Sequence, residues 1–371
     1  MKSAFEKITL VGMGLLAGSL AAMLKRKGYS GNIVGVSRKN TIDQASAMGL
    51  ISEGYEYHEL SKGVHKSDLV ILCTPINNII ELIKELGANP QWLKPGCLIT
   101  DIGSTKADIT DTVKKHINSS IYFIGGHPMA GSEKRGINNL DPFLYENSIC
   151  VLTPCINTPQ DKIDELSSFW TSLGAKVKIM GAHTHDRIAA AISHLPQILA
   201  VSLVNMIGKL NQRDNNYLTL AAGGFRDMTR IASSGYAMWG DIFSTNKTEL
   251  RHAISSYIEK LSEIQQNLEN DCLQPEFENA ANTRLNIPID SKGFISRLFE
   301  ILVVVEDKPG VIAAISSILA EREINIKDIE VLKVREGEGG TLRLAFESLE
   351  IAKKAVKILE QSKISARLRN E

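Results

Sequence analysis

The tightest constraint on this chain lies near its start, where Ile8-Thr9-Leu10-Val11 runs directly into Gly12-Met13-Gly14-Leu15-Leu16-Ala17-Gly18-Ser19. The first segment reads as a short buried strand and the second as a turn opening an apolar helix that reaches about Lys27. Between them the small residues stand as G-x-G-x-x-A. In a strand-turn-helix unit the first glycine makes the tight turn and the second leaves room for a pyrophosphate against the backbone. A small third residue lets the helix close on the strand. The helix N-terminus then faces the phosphate charge. Gly12, Met13, Gly14, Leu15 and Leu16 are therefore the expected dinucleotide turn.

The second strand, Asn32-Ile33-Val34-Gly35-Val36, ends in Ser37-Arg38-Lys39. A site for NAD usually carries Asp or Glu there to accept the ribose 2′-hydroxyl. A hydroxyl followed by two cations suits a 2′-phosphate instead, so NADP is slightly favoured over NAD, with Ser37 and Arg38 as its ligands. Strand-like runs recur at Asp68 to Cys73, Cys97 to Asp101 and Tyr122 to Ile124. This spacing predicts a doubly wound sheet whose ligands lie beyond the carboxyl ends of the strands. Thr74, Pro75, Ser104 and the loop after Ile124 should then share one crevice with the glycine turn.

That loop is Gly125-Gly126-His127-Pro128-Met129-Ala130-Gly131-Ser132. Two glycines permit positive φ or a close approach, and Pro128 stiffens the far side of the single imidazole. His127 is the expected reacting residue, with an ordinary pKa near 6.5 suited to proton transfer at neutral pH.

From about His183 the periodicity becomes helical. An apolar segment carries His194 and Pro196, and Gly223 to Ala232 reads as a turn and short helix with Arg226 and Arg230 on one face. A longer helix from Glu249 to about Cys272 has an apolar stripe, with Asn246 and Glu249 placed as its cap. This stripe predicts a core or a two-fold seam, and hence a homodimer. Residues 284–296 read as a linker. A third unit, 297–371, follows in the order β-α-β-β-α-β, a split βαβ sandwich. The expected division is 1–182 for a Rossmann-like domain, 183–283 for an all-helical substrate and dimerisation domain, and 297–371 for an α+β tail. The fold class is α/β overall.

Lys plus Arg and Asp plus Glu are equal at 42 each, which leaves no basic field for nucleic acid or an anionic membrane. Five dispersed cysteines without a C-x-x-C pair suggest neither disulfides nor a metal site. With no charged-then-apolar leader and no long unbroken apolar run, a cytoplasmic protein is expected.

Taken in order, the glycine turn, Asp101-Ile102-Gly103-Ser104-Thr105-Lys106, Gly126 to Gly131, Ser193-His194-Leu195-Pro196 and Phe225 to Ala232 resemble the prephenate dehydrogenase family, which includes arogenate dehydrogenases. The tail, with Asp307-Lys308-Pro309-Gly310-Val311 and Glu323-Ile324-Asn325-Ile326, resembles an ACT domain. The resemblance implies oxidative decarboxylation of prephenate to 4-hydroxyphenylpyruvate, on the way to tyrosine. It implies catalytic roles for His127 and Ser104, and substrate contacts from His194, Arg230, Trp239, Ser132 and, less directly, Arg226. It also implies amino-acid regulation, with L-tyrosine the expected effector at a pocket near Asp307, Pro309, Gly310 and Asn325. Arogenate is the rival substrate. A sensor built on an inactive scaffold is a remote alternative.

Overall fold

The strand at the glycine turn is central to an eight-stranded sheet. A computed structural model describes residues 4–118, 121–131, 134–286, 298–306, 308–334 and 340–369, in two units, Met1–Leu273 and Gln274–Glu371. The first unit holds β1 (Lys7–Val11), β2 (Asn32–Ser37), β3 (Glu53–Glu56), β4 (Leu69–Leu72), β5 (Leu98–Asp101), β6 (Tyr122–Pro128), β7 (Ile149–Pro154) and β8 (Lys176–Ile179), in spatial order β3-β2-β1-β4-β5-β6-β7-β8. Neighbours are parallel except β6 and β7.

Residue alternation divides the apolar interior between the two faces of the sheet. Leu69 and Ile71 pack with Leu20 and Leu24 of the helix Leu15–Arg26, whereas Val70 and Leu72 pack with Ile79 and Ile83 of the helix Ile76–Ala88. This is why the central strands read as nearly continuous apolar runs. The chain order reverses between β1 and β4, so the crevice of a doubly wound sheet opens beside the glycine turn.

After β8 the chain is helical: Ala182–Ala189, a π-helical turn Ala190–His194, Leu195–Asn211, Gly223–Thr229, Tyr236–Thr245 and Lys247–Glu269. The π turn immediately precedes Pro196, which has no N–H to donate and whose ring would crowd a regular preceding turn.

The second unit opens with a helix, Gln274–Asn286. It runs into the segment expected to be linker from 284, because Pro275 in its first turn suits a helix start and Glu276, Glu278, Ala280, Ala281 and Arg284 support its continuation. The rest of that linker, 287–296, lies outside the described residues, as does residue 297. Beyond it β9 (Phe299–Val305), β10 (Asp328–Val334), β11 (Gly340–Phe346) and β12 (Ala366–Leu368) form an antiparallel sheet in order β10-β11-β9-β12. Helices Val311–Ala320 and Leu349–Gln361 join Ile301, Val303, Leu342 and Leu344 in one core.

Candidate active site

The glycine turn is shaped by two different needs. Gly12 has φ +99°, and a Cβ there would fall 2.7 Å from Thr74 Cγ2 and 3.0 Å from the Cys73 carbonyl. Gly14, the N-cap of the helix Leu15–Arg26, faces open space instead, leaving the backbone approachable. Met13 and Ala17 are buried beneath it, Leu15 nearly so and Leu16 partly. Thr74 Oγ1 is buried with no hydrogen-bond partner among the described residues, and Pro75 caps the next helix. A bound nucleotide would supply that missing partner, so these residues fit the group.

At the end of β2, Ser37 is buried and Arg38 exposed. The sheet also places an acid there that the linear sequence hid: Glu56, at the end of β3, is in register with Ser37. Its carboxylate is engaged in a reciprocal capping box with Glu59.

His127 does not lie in a loop. β6 continues through Pro128, pairing antiparallel with β7 so that His127 opposes Val151. Gly125 and Gly126 are extended, and their smallness has another cause. A Cβ on Gly125 would meet Thr153 Oγ1 at 2.3 Å, and one on Gly126 would meet Asp101 O at 2.5 Å. Beneath them lies a wholly buried ion pair. Lys106 Nζ donates to Asp101 Oδ2 and, at 2.7 Å, to Gly126 O. Asp101 also accepts from Gly126 N at 3.1 Å and Gly103 N at 2.7 Å. The pair thus ties the strand end carrying His127 to the turn carrying Ser104, which is partly exposed. Burial pushes Asp101 up and Lys106 down, each opposed by its partner's charge.

His127 Nδ1 lies 2.8 Å from His185 Nε2, and His185 Nδ1 lies 2.7 Å from Asp186 Oδ1. Asp186 in turn accepts from the backbone N–H of Lys106 and Ala107, both at 2.8 Å. Burial first, then His185, Lys106 and His194, lowers the His127 pKa well below the ordinary value expected from sequence. The ring is neutral at pH 7 and can accept a proton.

His194 lies on the π-helical turn, 2% exposed, its pKa pushed down to about 4 chiefly by burial. Asn246 is not a capping side chain. Its amide nitrogen reaches Asp186 O at 2.8 Å and His194 Nδ1 at 3.2 Å. Trp239 meets the His194 ring edge-on at 6.2 Å and stacks on Phe243; its indole N–H has no partner among the described residues. Arg230 begins a 3-10 turn, Arg230–Ser233, that Gln197 binds through Ile231 O at 3.1 Å. This joins Arg230 to the helix that begins just after His194. Arg226 is exposed one turn earlier, and Ser132 lies outside the described residues.

His185, Asp186, Lys106 and Asn246 were not anticipated as site residues. The signal available was His183-Thr184-His185-Asp186, a polar cluster opening an otherwise apolar helix. In the second unit Gly310 has φ +88°, which L side chains rarely adopt, and Pro309 precedes it in the expected ligand turn. Asn325 is exposed, and Asp307 lies outside the described residues.

Comparison with known proteins agrees with this architecture. Residues 20–179 match the prephenate dehydrogenase nucleotide-binding domain, 181–279 the prephenate dehydrogenase dimerization domain and 299–362 the ACT domain. The chain is 34% identical to a prephenate dehydrogenase of Bacillus subtilis over 364 residues, 96% of each chain. Among solved structures it resembles a prephenate dehydrogenase from A. aeolicus in complex with hydroxyphenyl propionate and NAD+ (TM-score 0.69, 28% identity, 77% of this chain and 98% of that one). It also resembles a Synechocystis arogenate dehydrogenase (TM-score 0.64, 29% identity, 75% and 96%). With its two N-terminal domains and its ACT domain matched in order, the chain is an oxidoreductase that belongs to the prephenate dehydrogenase family.

Proposed function

We propose that this enzyme oxidises prephenate, with loss of CO2, to 4-hydroxyphenylpyruvate. The observation that carries the reading is the neutral His127 ring, fixed at the carboxyl end of β6 on the row of strand ends that begins at the glycine turn. His127 takes the proton of the ring hydroxyl, with Ser104 as second partner of that oxygen. A nicotinamide cofactor held at the Gly12–Leu16 turn would supply the hydride acceptor for the ring carbon that bears this hydroxyl. Loss of the ring carboxylate as CO2 then leaves the aromatic product. Arg230 pairs with a substrate carboxylate, while His194 and Trp239 line the ring. Arogenate, whose side chain carries an amine, remains the second reading because a related fold bears that name.

Arg38 and the absence of a free acid beside Ser37 favour NADP at least as well as NAD, since Glu56 is held by its cap. We assign residues 1–182 to cofactor binding, 183–283 to substrate binding and dimerisation, and 297–371 to regulation by L-tyrosine. By length and composition Ala182–Asn211 could cross a membrane. Its exposed Ile188, Ile192 and Met206 fall in the region matched by the dimerization domain, and we assign them to a twin subunit in a cytoplasmic homodimer.

The test is a spectrophotometric assay with prephenate or arogenate and NAD or NADP, with and without millimolar tyrosine. Turnover should be fastest with prephenate, at least as fast with NADP as with NAD, and slowed by tyrosine. His127→Asn should lower kcat about 10²-fold or more, the scale of a lost general base. No cofactor reduction with either acid would sink the reading.

A further inference from the structure

Both imidazoles of the site are tied to one residue, Asp186, by routes that demand opposite proton positions. In a neutral imidazole one nitrogen donates and the other accepts. The Asp186 carboxylate, already receiving two backbone N–H groups, presents an acceptor to His185 Nδ1. That nitrogen therefore carries the proton, His185 Nε2 is a lone pair, and His127 Nδ1 must donate to it. His127 Nε2 is left bare. On the other route, the Asn246 nitrogen contacting the Asp186 carbonyl must be the amide NH2, because a carbonyl only accepts. The same nitrogen faces His194 Nδ1, which must accept. The proton of neutral His194 is then on Nε2.

We propose that His185 and Asn246, both anchored on Asp186, are positioning residues that set His127 as a proton acceptor at Nε2 and His194 as a hydrogen-bond donor at Nε2. The assignment gives chemical content to the proposed reaction, on which its kinetic consequence rests. A substrate hydroxyl must lose its proton to one ring, and the anionic substrate is best met by N–H from the other. Two imidazoles, each linked to the shared anchor through one intermediary, would otherwise each be free to adopt either tautomer. Transfer from the substrate places the new proton on His127 Nε2. The Nδ1 proton stays directed at His185, whose Asp186 partner stabilises the resulting imidazolium.

The experiment is heteronuclear NMR of the full-length protein carrying labelled histidine in an otherwise deuterated background, without substrate, followed by kinetics. The ring nitrogens of the 8 histidines are assigned with single His variants. The proposal requires His127 protonated at Nδ1 and His194 at Nε2. His185→Phe should mix the His127 tautomers and lower kcat about 10- to 100-fold, with KM for either ligand changed less than about threefold. His185→Gln offers an amide oxygen near the lost Nε2 and should restore most of kcat. Asn246→Asp, which would draw a proton to His194 Nδ1, should raise the substrate KM and leave that of the cofactor. His127 protonated at Nε2, or His185→Phe with unchanged tautomers and kcat, overturns the proposal. If the wild type turns over neither acid while the tautomers are as stated, the reaction is wrong and the tautomer assignment stands.

Discussion

Each unit of this chain buries a cation, and the two are treated oppositely. Lys106 is wholly buried against one carboxylate and one carbonyl, and burial outweighs them, so its pKa falls. Arg343, on the central β11 of the second unit, is 4% exposed yet meets Glu300 and Asp328 at 2.5 Å and Glu330 at 2.7 Å, and its pKa rises. The contrast follows from the number of partners and their access to water. Asp101 is dry, whereas Glu330 is about half exposed and Asp328 about a third. One cation is a strut whose removal leaves a charge with no escape. The other is over-compensated by three acids, of which Glu300 is buried but Asp328 and Glu330 are open to solvent.

The sharpest way to break that comparison is Lys106→Met. It leaves Asp101 buried without its cation and should cost about 3–5 kcal/mol of first-unit stability, measured by chemical denaturation. Asp101→Leu in the same chain should recover much of the loss. A single mutant within about 1 kcal/mol of wild type would mean that the pair is not a strut.

Acid provides the next contrast. His194 has a folded pKa of about 4 against an ordinary 6.5, so between those values the unfolded chain binds the extra proton. Stability from this group is complete above about pH 6.5 and declines as pH falls towards 4, by roughly 3 kcal/mol at 1.36 kcal/mol per unit. Arg343, raised from an already high value, adds no such slope in this window. Hydrogen exchange should therefore show the first unit losing protection as pH falls, and His194→Gln should remove this group's share and leave that of His127, whose pKa is lowered as well.

Arg343→Met should cost less than the Lys106 change, about 1–3 kcal/mol. The loss should appear in exchange of β9 to β11, with kcat in the absence of effector kept within about twofold. Arg369→Ala is the mildest. Arg369 reaches Glu300 at 2.5 Å but is 43% exposed, so its loss should cost under about 1 kcal/mol, read from the melting of the second unit. A larger loss would make Arg369 part of the Arg343 cluster instead of a solvated rim.

What could be read along the chain was what depends on near neighbours. The strand-turn-helix at Gly12, the central apolar strands and the β-α-β-β-α-β order of the tail all have local periodicity. β3 (Glu-Gly-Tyr-Glu) and β8 (Lys-Val-Lys-Ile) are edge strands without an apolar run, and β7 follows an irregular connection that gave no frame for it. The glycines before His127 looked like turn residues because their reason lies elsewhere, in Asp101 and Thr153 pressed against them. Asn246 had the right type and place for a cap, and only the fold shows its amide turned to Asp186, 60 positions away. Gly12, Ser37, Thr74, Ser104 and His127 stand at or just beyond strand ends, whereas His194 falls on a π turn, Arg230 on a 3-10 turn and Trp239 inside a helix. The groups that hold them came from long-range hydrogen bonds that no periodicity encodes.

The π-helical turn at Ala190–His194 has a geometrical consequence. A π turn carries one residue more than a turn of α-helix, so it takes up an extra residue locally while the rod on either side stays in phase. The rod's first part holds His185 and Asp186, and its last part holds Gln197, which grips the Arg230 turn. Deleting one residue from 190–194 would let this turn close as ordinary α-helix with the two halves of the rod still in phase, so the loss would fall locally, on the placement of His194.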